Sequence, residues 1–369
     1  MITMRAKNHT EPSFLYVADI MELFGCSRSK AYQIIAELNR ELEKKGEENN
    51  MSMREHCTLI MTCRDMQDRD NWLAMREHGI GGSEAASIVG LNPWKSPYQL
   101  WLEKTGQVEP EDISGKETVH FGTKLEQLVA DEFCERERKR VRRSGMYKSK
   151  GHPYMLGSFD RLLVGEDAGL ECKTCSAFKR KKWDEGEVPS NYYVQCQHYM
   201  AVSGLPRWYI ACLVGGNHFV CWTIERDEDD IAALEAAESA FWKRVQNRIP
   251  PAVDGSESCT EALRERFKGG QVEPIELPSK ASKLINRYDE LKTVKGDIDT
   301  QIKEVQNQLC EMLGDNEIGI AGTGEDAREV KWKVVSGRTT IDSKRLKAEM
   351  PDVYDKYSKV GKPTRRFSL

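Results

Sequence analysis

Apolar side chains near the start of the chain recur three and four residues apart, at Val17, Ile20, Leu23 and Phe24, then at Ala31, Ile34, Ile35, Leu38 and Leu42. That spacing predicts two short helices parted at Gly25-Cys26-Ser27, with Ser27 capping the second. Residues 46–68 have no clear period and read as a linker. A glycine-rich stretch at 79–83 then leads into a helix over 84–89. A turn at 92–97 leads into a short aromatic helix, with Trp94, Tyr98 and Trp101 expected in the core. From Phe121 the period is helical again, with Leu125, Leu128, Val129 and Phe133 on one stripe and the charged run 135–143 as a solvated face. Residues 154–164 and 171–175 flank a turn at 165–169 and predict a strand pair. A helix over 192–203, strands at 208–214 and 218–224 joined by Gly215-Gly216-Asn217, and a helix over 229–248 complete this region. Helices and strands in this order predict an α/β fold with a mixed central sheet flanked by helices.

The tail has a different texture. Residues 254–275 read as a second linker. Leu284, Tyr288, Leu291, Lys295, Ile298, Ile302, Val305, Leu309 and Met312 then alternate four and three apart, a heptad seam interrupted at Lys295. Such an arm pairs with another chain or folds back on its own. Residues 330–334 alternate like a strand, 341–350 like a short helix started by Asp342 or Ser343, and Lys359, Lys362, Arg365 and Arg366 make the end basic. The expected organisation is a helix-turn-helix-like module at 1–50, a linker at 51–68, the main domain at 69–253, a linker at 254–275, and a helical arm with a basic tail at 276–369. In the first module Arg28, Ser29, Lys30, Tyr32 and Gln33 open the second helix, where such modules touch DNA. An amphipathic hairpin used for docking would have the same pattern.

A net charge of −4 over 369 residues gives no global basic signal, so any nucleic-acid contact must use local patches. The chain has no apolar run of about 18 residues and no leader at its start, and reads as a soluble protein. Eleven irregularly spaced cysteines point to a reducing compartment, and Cys172-x-x-Cys175 lacks the second pair that zinc or an iron–sulfur cluster would need.

The densest chemistry lies between Gly157 and Cys175. Glu171 and Lys173 sit two apart and share a strand face, with Cys172 on the other, and a fold at 165–169 would bring Asp160 alongside Glu171. Two carboxylates beside an ammonium suit a hard divalent cation held against a phosphate; a surface hairpin with solvated charges reads the same way. Glu126 lies at the edge of its helix's apolar stripe and needs a partner there. Arg76 and Ser83, at the start of a helix, could hold an anion. Lys179, Arg180, Lys181 and Lys182 lie between Phe178 and Trp183 and could track a phosphate backbone. Gln195 and Tyr199 share a helix face.

Taken in order, Trp72-x-x-x-Arg76 with Ser83, Phe121-Gly122 with Glu126, Ser158-x-Asp160, Glu171-x-Lys173 and Gln195-x-x-x-Tyr199 resemble the YqaJ-type viral recombinases and lambda exonuclease, of the PD-(D/E)xK nuclease superfamily. The resemblance covers about residues 69–250 and departs at Cys172, where an aliphatic residue is usual. It implies a restriction-endonuclease-like fold and a 5′-to-3′ exonuclease acting on linear double-stranded DNA. Such an enzyme leaves 3′ single strands for an annealing protein of the RecT or beta type. It further implies two Mg²⁺ ions, with Mn²⁺ as a substitute, held by Asp160, Glu171, the Cys172 carbonyl and Glu126. Lys173, helped by Gln195, would activate water; Arg76, Ser83 and Ser158 would grip the phosphate, with Tyr199, Lys179 and Arg180 as further DNA contacts. A trimeric ring, no membrane, and a phage or prophage protein in the bacterial cytoplasm complete the expectation. The competing readings are a site-specific endonuclease or junction resolvase of the same fold, and a DNA-binding regulator working through residues 17–45.

Overall fold

The computed structural model describes Ser27, Lys30 and residues 51–184, 188–359, 361 and 365–369. The expected helix-turn-helix lies outside these residues except at two points: the Lys30 N–H donates to Ser27 Oγ at 3.4 Å, an N-cap contact. The chain divides into two compact units, one ending at Lys268 and one beginning at Gly269.

In the first unit, helix α1 (Met51–His56) and strand β1 (Cys57–Met61) precede helix α2 (Arg69–Glu77), strand β2 (Ile80–Gly81) and helices α3 (Gly82–Ile88), α4 (Pro97–Lys104) and α5 (Glu117–Glu137). Strands β3 (Val141–Arg143), β4 (Met146–Ser149), β5 (Met155–Ser158), β6 (Arg161–Leu163) and β7 (Ala168–Cys175) follow. Then come α6 (Arg180–Asp184), α7 (Ser190–Ser203), β8 (Arg207–Val214), β9 (His218–Glu225), α8 (Glu228–Gln246) and α9 (Glu257–Arg266).

The main sheet runs β3-β6-β7-β8-β9. Only β7 and β8 are parallel, because α7 crosses over between them; the other neighbours are antiparallel. Its two faces are covered by different helices. Val129 and Phe133 of α5 pack on Leu170, Cys172 and Tyr209, while Tyr199 and Met200 of α7 pack with Phe159, Trp208 and Ile210 on the other side. This is the expected mixed sheet flanked by helices.

A second sheet, β1-β4-β5-β2, corrects the first expected linker. Met53, Cys57 and Met61 are buried in or under it, but an apolar residue at every fourth position over so short a stretch gives no readable period. The second expected linker contains α9, whose Cys259 and Ala262 bury with Trp101 and Phe241; such small side chains leave little hydrophobic signal. The expected strand 154–164 is two strands. The chain leaves the small sheet after Ser158, drives Phe159 edge-on against Tyr199 and Trp208, and enters the main sheet at Arg161. Leu128, expected on the buried stripe, is exposed.

In the second unit, helix α10 (Lys280–Leu313) precedes the hairpin β10 (Ile318–Ala321) and β11 (Arg328–Lys331), then helices α11 (Ser343–Glu349) and α12 (Pro351–Tyr357). Asp342 caps α11, accepting from the Lys344 and Arg345 N–H groups. Leu284, Leu291, Ile298, Ile302 and Val305 of the heptad seam are exposed.

Candidate active site

The site is built on the break between β5 and β6. Pairing of Arg161 with Leu170 sets Asp160 opposite Glu171, and there the ladder changes character: Asp160 Oδ2, not a backbone carbonyl, accepts the Cys172 N–H at 2.9 Å. The strand alternation turns Cys172 to the α5 face and Glu171 and Lys173 to the α7 face. Lys173 Nζ donates to Glu171 Oε1 at 2.5 Å. Gln195 Nε2, from α7, donates to the same oxygen at 2.7 Å and lies 2.8 Å from the Tyr199 hydroxyl. Glu171 is almost wholly buried, and its second oxygen, Oε2, has no hydrogen-bond partner.

Electrostatics sharpen this geometry. Burial, then Glu171 and Glu126, push the Asp160 carboxyl well above the usual carboxylate range. Burial opposes the charge on Lys173, yet Glu171 and Asp160 hold its ammonium above its ordinary value. Burial raises the Cys172 thiol, which stays a neutral group on the apolar side.

Glu126 is engaged elsewhere. Its Oε1 accepts from Arg161 Nη1 at 2.6 Å; the same nitrogen donates to the Asp160 carbonyl at 2.7 Å, and Nη2 to Gln127 Oε1 at 3.1 Å. Arg161 is itself buried. Sequence reasoning missed it, because only its pairing with Leu170 turns it inward. Oxygen donors from Asp160, Glu171 and the Cys172 carbonyl suit a hard divalent cation, and an unpartnered Glu171 Oε2 beside crowded carboxylates is what such a cation relieves. Among the described residues, no three His, Cys, Asp or Glu side chains are grouped so as to hold a metal ion; Glu126 Oε1 is taken by Arg161.

A second cluster joins α2, α3 and α4. Arg76 Nη2 donates to Ser83 Oγ at 3.1 Å and meets Glu84 Oε1 at 3.1 Å. The guanidinium lies 4.7 Å from the Trp72 ring centroid, and Trp72 Nε1 donates to Ser158 Oγ at 3.4 Å. Arg76, Ser83 and Ser158 are thus brought together. At the expected helix start, Glu84 Oε2 accepts the N–H of the capping residue Gly81 at 2.8 Å. Lys104 Nζ also reaches Glu84 Oε2, at 2.9 Å. Burial opposes the charge on Glu84, but Lys104, Arg76 and the Gly81 N–H hold its carboxyl down at about 2. Lys104 moves the other way: its own burial outweighs Glu84, and Arg76 repels it, so its ammonium is held below its ordinary value. Two cations therefore share one carboxylate, leaving spare positive charge beside Ser83. Glu84 and Lys104 were also missed; a glutamate three residues after Gly81 was the available capping signal.

Tyr199, expected to contact DNA, is buried instead. A side chain at Gly82 would come within 2.3 Å of its ring, so only glycine allows α3 to approach α7 this closely. Lys179 and Arg180 are exposed on the segment after β7.

Residues 71–206 match the YqaJ-like viral recombinase domain. The protein YqaJ of Bacillus subtilis strain 168 is 42% identical over 307 residues, spanning 81% of this chain and 94% of that one. The chain belongs to the YqaJ-like viral recombinase family. A fainter similarity links this family member to a protein of African swine fever virus, 28% identical over 40% of this chain and 49% of that protein. Among solved structures, the alkaline exonuclease LHK-Exo from Laribacter hongkongensis aligns with a TM-score of 0.42 and 20% identity, over 49% of this chain and 94% of the exonuclease.

Proposed function

We propose that this YqaJ-like protein is a divalent-metal-dependent exonuclease. It degrades the 5′ strand of linear double-stranded DNA and leaves 3′ single-stranded tails for recombination by strand annealing. The observation that carries the reading is the buried, unpartnered Glu171 Oε2, in a carboxylate that also accepts from Lys173 and Gln195 and faces Asp160.

Asp160, Glu171 and the Cys172 carbonyl would hold Mg²⁺, or Mn²⁺ in its place, with Glu126 completing the shell. The bound ions would supply Lewis-acid stabilisation of the phosphate charge and a more acidic water. Lys173, whose Nζ reaches Glu171 Oε1, would orient the attacking water and steady developing negative charge as a hydrogen-bond donor. Gln195 keeps Glu171 in place, and Tyr199 supports Gln195. Arg76 and Ser83, with Ser158 nearby, grip the terminal 5′-phosphate, and Glu84 and Lys104 fix the arginine's direction. A family-type ring trimer, an annealing partner of the RecT or beta type and residence in the bacterial cytoplasm extend the reading.

Incubating the purified protein with end-labelled linear duplex, with and without Mg²⁺, tests the core of it. Metal-dependent release of 5′ nucleotides, faster from 5′-phosphorylated than 5′-hydroxyl ends, is expected, with closed circular DNA untouched. Cutting of closed circles would replace the exonuclease with an endonuclease or resolvase.

A further inference from the structure

Two aromatic side chains stand open to solvent beside the proposed catalytic strand. Phe178 is 99% exposed and Trp94 60% exposed, although Trp94 was expected in the core with Tyr98 and Trp101, which are buried. A single exposed aromatic carries little meaning; this pair comes with structure around it. The Lys179 ammonium lies 5.0 Å from the Trp94 ring centroid, which joins the loop after α3 to the segment after β7. The first loop leaves the helix that carries Ser83, and the second leaves the strand that carries Glu171 and Lys173.

Both supports are fixed. Asn92 Oδ1 accepts the Trp94 N–H at 2.9 Å, while Asn92 Nδ2 donates to buried Ser87 at 2.9 Å. Ser176 caps the turn carrying Phe178, accepting its N–H at 3.4 Å, and the Gly215 N–H donates to the Cys175 carbonyl at 2.8 Å. Phe178 opens a run of four cations, Lys179 to Lys182. Four residues lie between it and Lys173, so five residue steps give a reach of at most about 17 Å, or about five nucleotides of one strand.

Exposed aromatic faces beside consecutive cations are the combination that holds unpaired nucleotides: bases stack on the rings while the cations follow the phosphates. We infer that Phe178 and Trp94 form a base-stacking platform for the unpaired nucleotides of a DNA end, holding the strands apart next to the cleavage site. The inference rests on the nuclease reading and adds strand separation to it.

The test uses the full-length protein and a 5′-phosphorylated linear duplex carrying 2-aminopurine in a short unpaired end, with EDTA present so that binding is read without cleavage. Wild-type protein is expected to quench the 2-aminopurine. Phe178→Ala and Trp94→Ala should each weaken binding of the unpaired end, by roughly 5- to 150-fold, and remove much of the quenching. Phe178→Tyr should retain both. Alanine variants that bind and quench like wild type overturn the platform. A wild type that digests linear duplex in Mg²⁺ yet never perturbs the 2-aminopurine also overturns it, leaving the nuclease reading intact. A wild type that neither binds nor digests removes both.

Discussion

At the scale of single residues, the carboxylate cluster and the arginine cluster make separable demands. Lys173→Ala removes the donor to Glu171 Oε1 that the proposal assigns to the reacting phosphate, and Asp160→Ala removes both a proposed metal ligand and the acceptor of the Cys172 N–H. Each should lower digestion of end-labelled duplex by about 10²-fold or more while DNA binding stays measurable by gel shift; near-wild-type digestion by either would sink the site assignment. Glu84→Gln strips buried Lys104 and half-buried Arg76 of their shared anion, an expected loss of about 3 kcal/mol in urea unfolding. The sign follows from a depressed carboxyl: the contribution of Glu84 is present above its ordinary value of 4.5 and lost as pH falls toward about 2. If the two proteins are equally stable at neutral pH, the cluster is not built as described. The juxtaposition of Asp160 with Glu171 and Lys173, and of Arg76 with Ser83, was legible in the sequence through strand alternation and the ordered motifs of the family resemblance. Arg161 was not, since nothing local says whether an arginine beside an aspartate points inward.

At the scale of elements, α7 is held to β5 and α8 by a buried pair. His198 Nδ1 lies 2.7 Å from Glu238 Oε1, and Nε2 lies 3.0 Å from the Leu156 carbonyl, two residues before Ser158. Burial works against the imidazolium, but Glu238 and the Leu156 carbonyl raise His198 above its usual 6.5. Stability from this pair is therefore full below pH 6.5 and lost as pH rises through the raised value. The melting temperature of wild type should fall toward that of His198→Gln over this range, and a pH-independent gap between them would contradict the pairing. Helix α9 makes a different demand. A chain cut after Pro251 loses the burial of Cys259 and Ala262 against Trp101 and Phe241, an expected cost of about 2 kcal/mol or more, whereas a chain cut after Lys268 keeps it. Equal urea midpoints for the two would show α9 to be dispensable. A linker was read there because two small buried side chains on ten residues do not raise a helical period.

At the scale of the whole molecule, two compact units share one chain, and the long α10 exposes its heptad seam. If that seam pairs copies of the chain, light scattering on protein ending at Lys268 will give a smaller assembly than full-length protein; an unchanged mass would remove the arm from assembly. What the sequence determined by itself was periodicity and chemistry: the alternation that sends Glu171 and Lys173 one way and Cys172 the other, the crossover helix with Gln195, and the heptads of the arm. Those follow from backbone geometry, which repeats every two or 3.6 residues whatever lies around it. Only the tertiary structure decided where the strand breaks at Asp160, which cation holds Glu126, that Tyr199 is buried while Trp94 and Phe178 are open, and that the supposed linkers carry a strand and a helix. Each of these depends on what packs alongside from distant parts of the chain, and no local pattern encodes a neighbour.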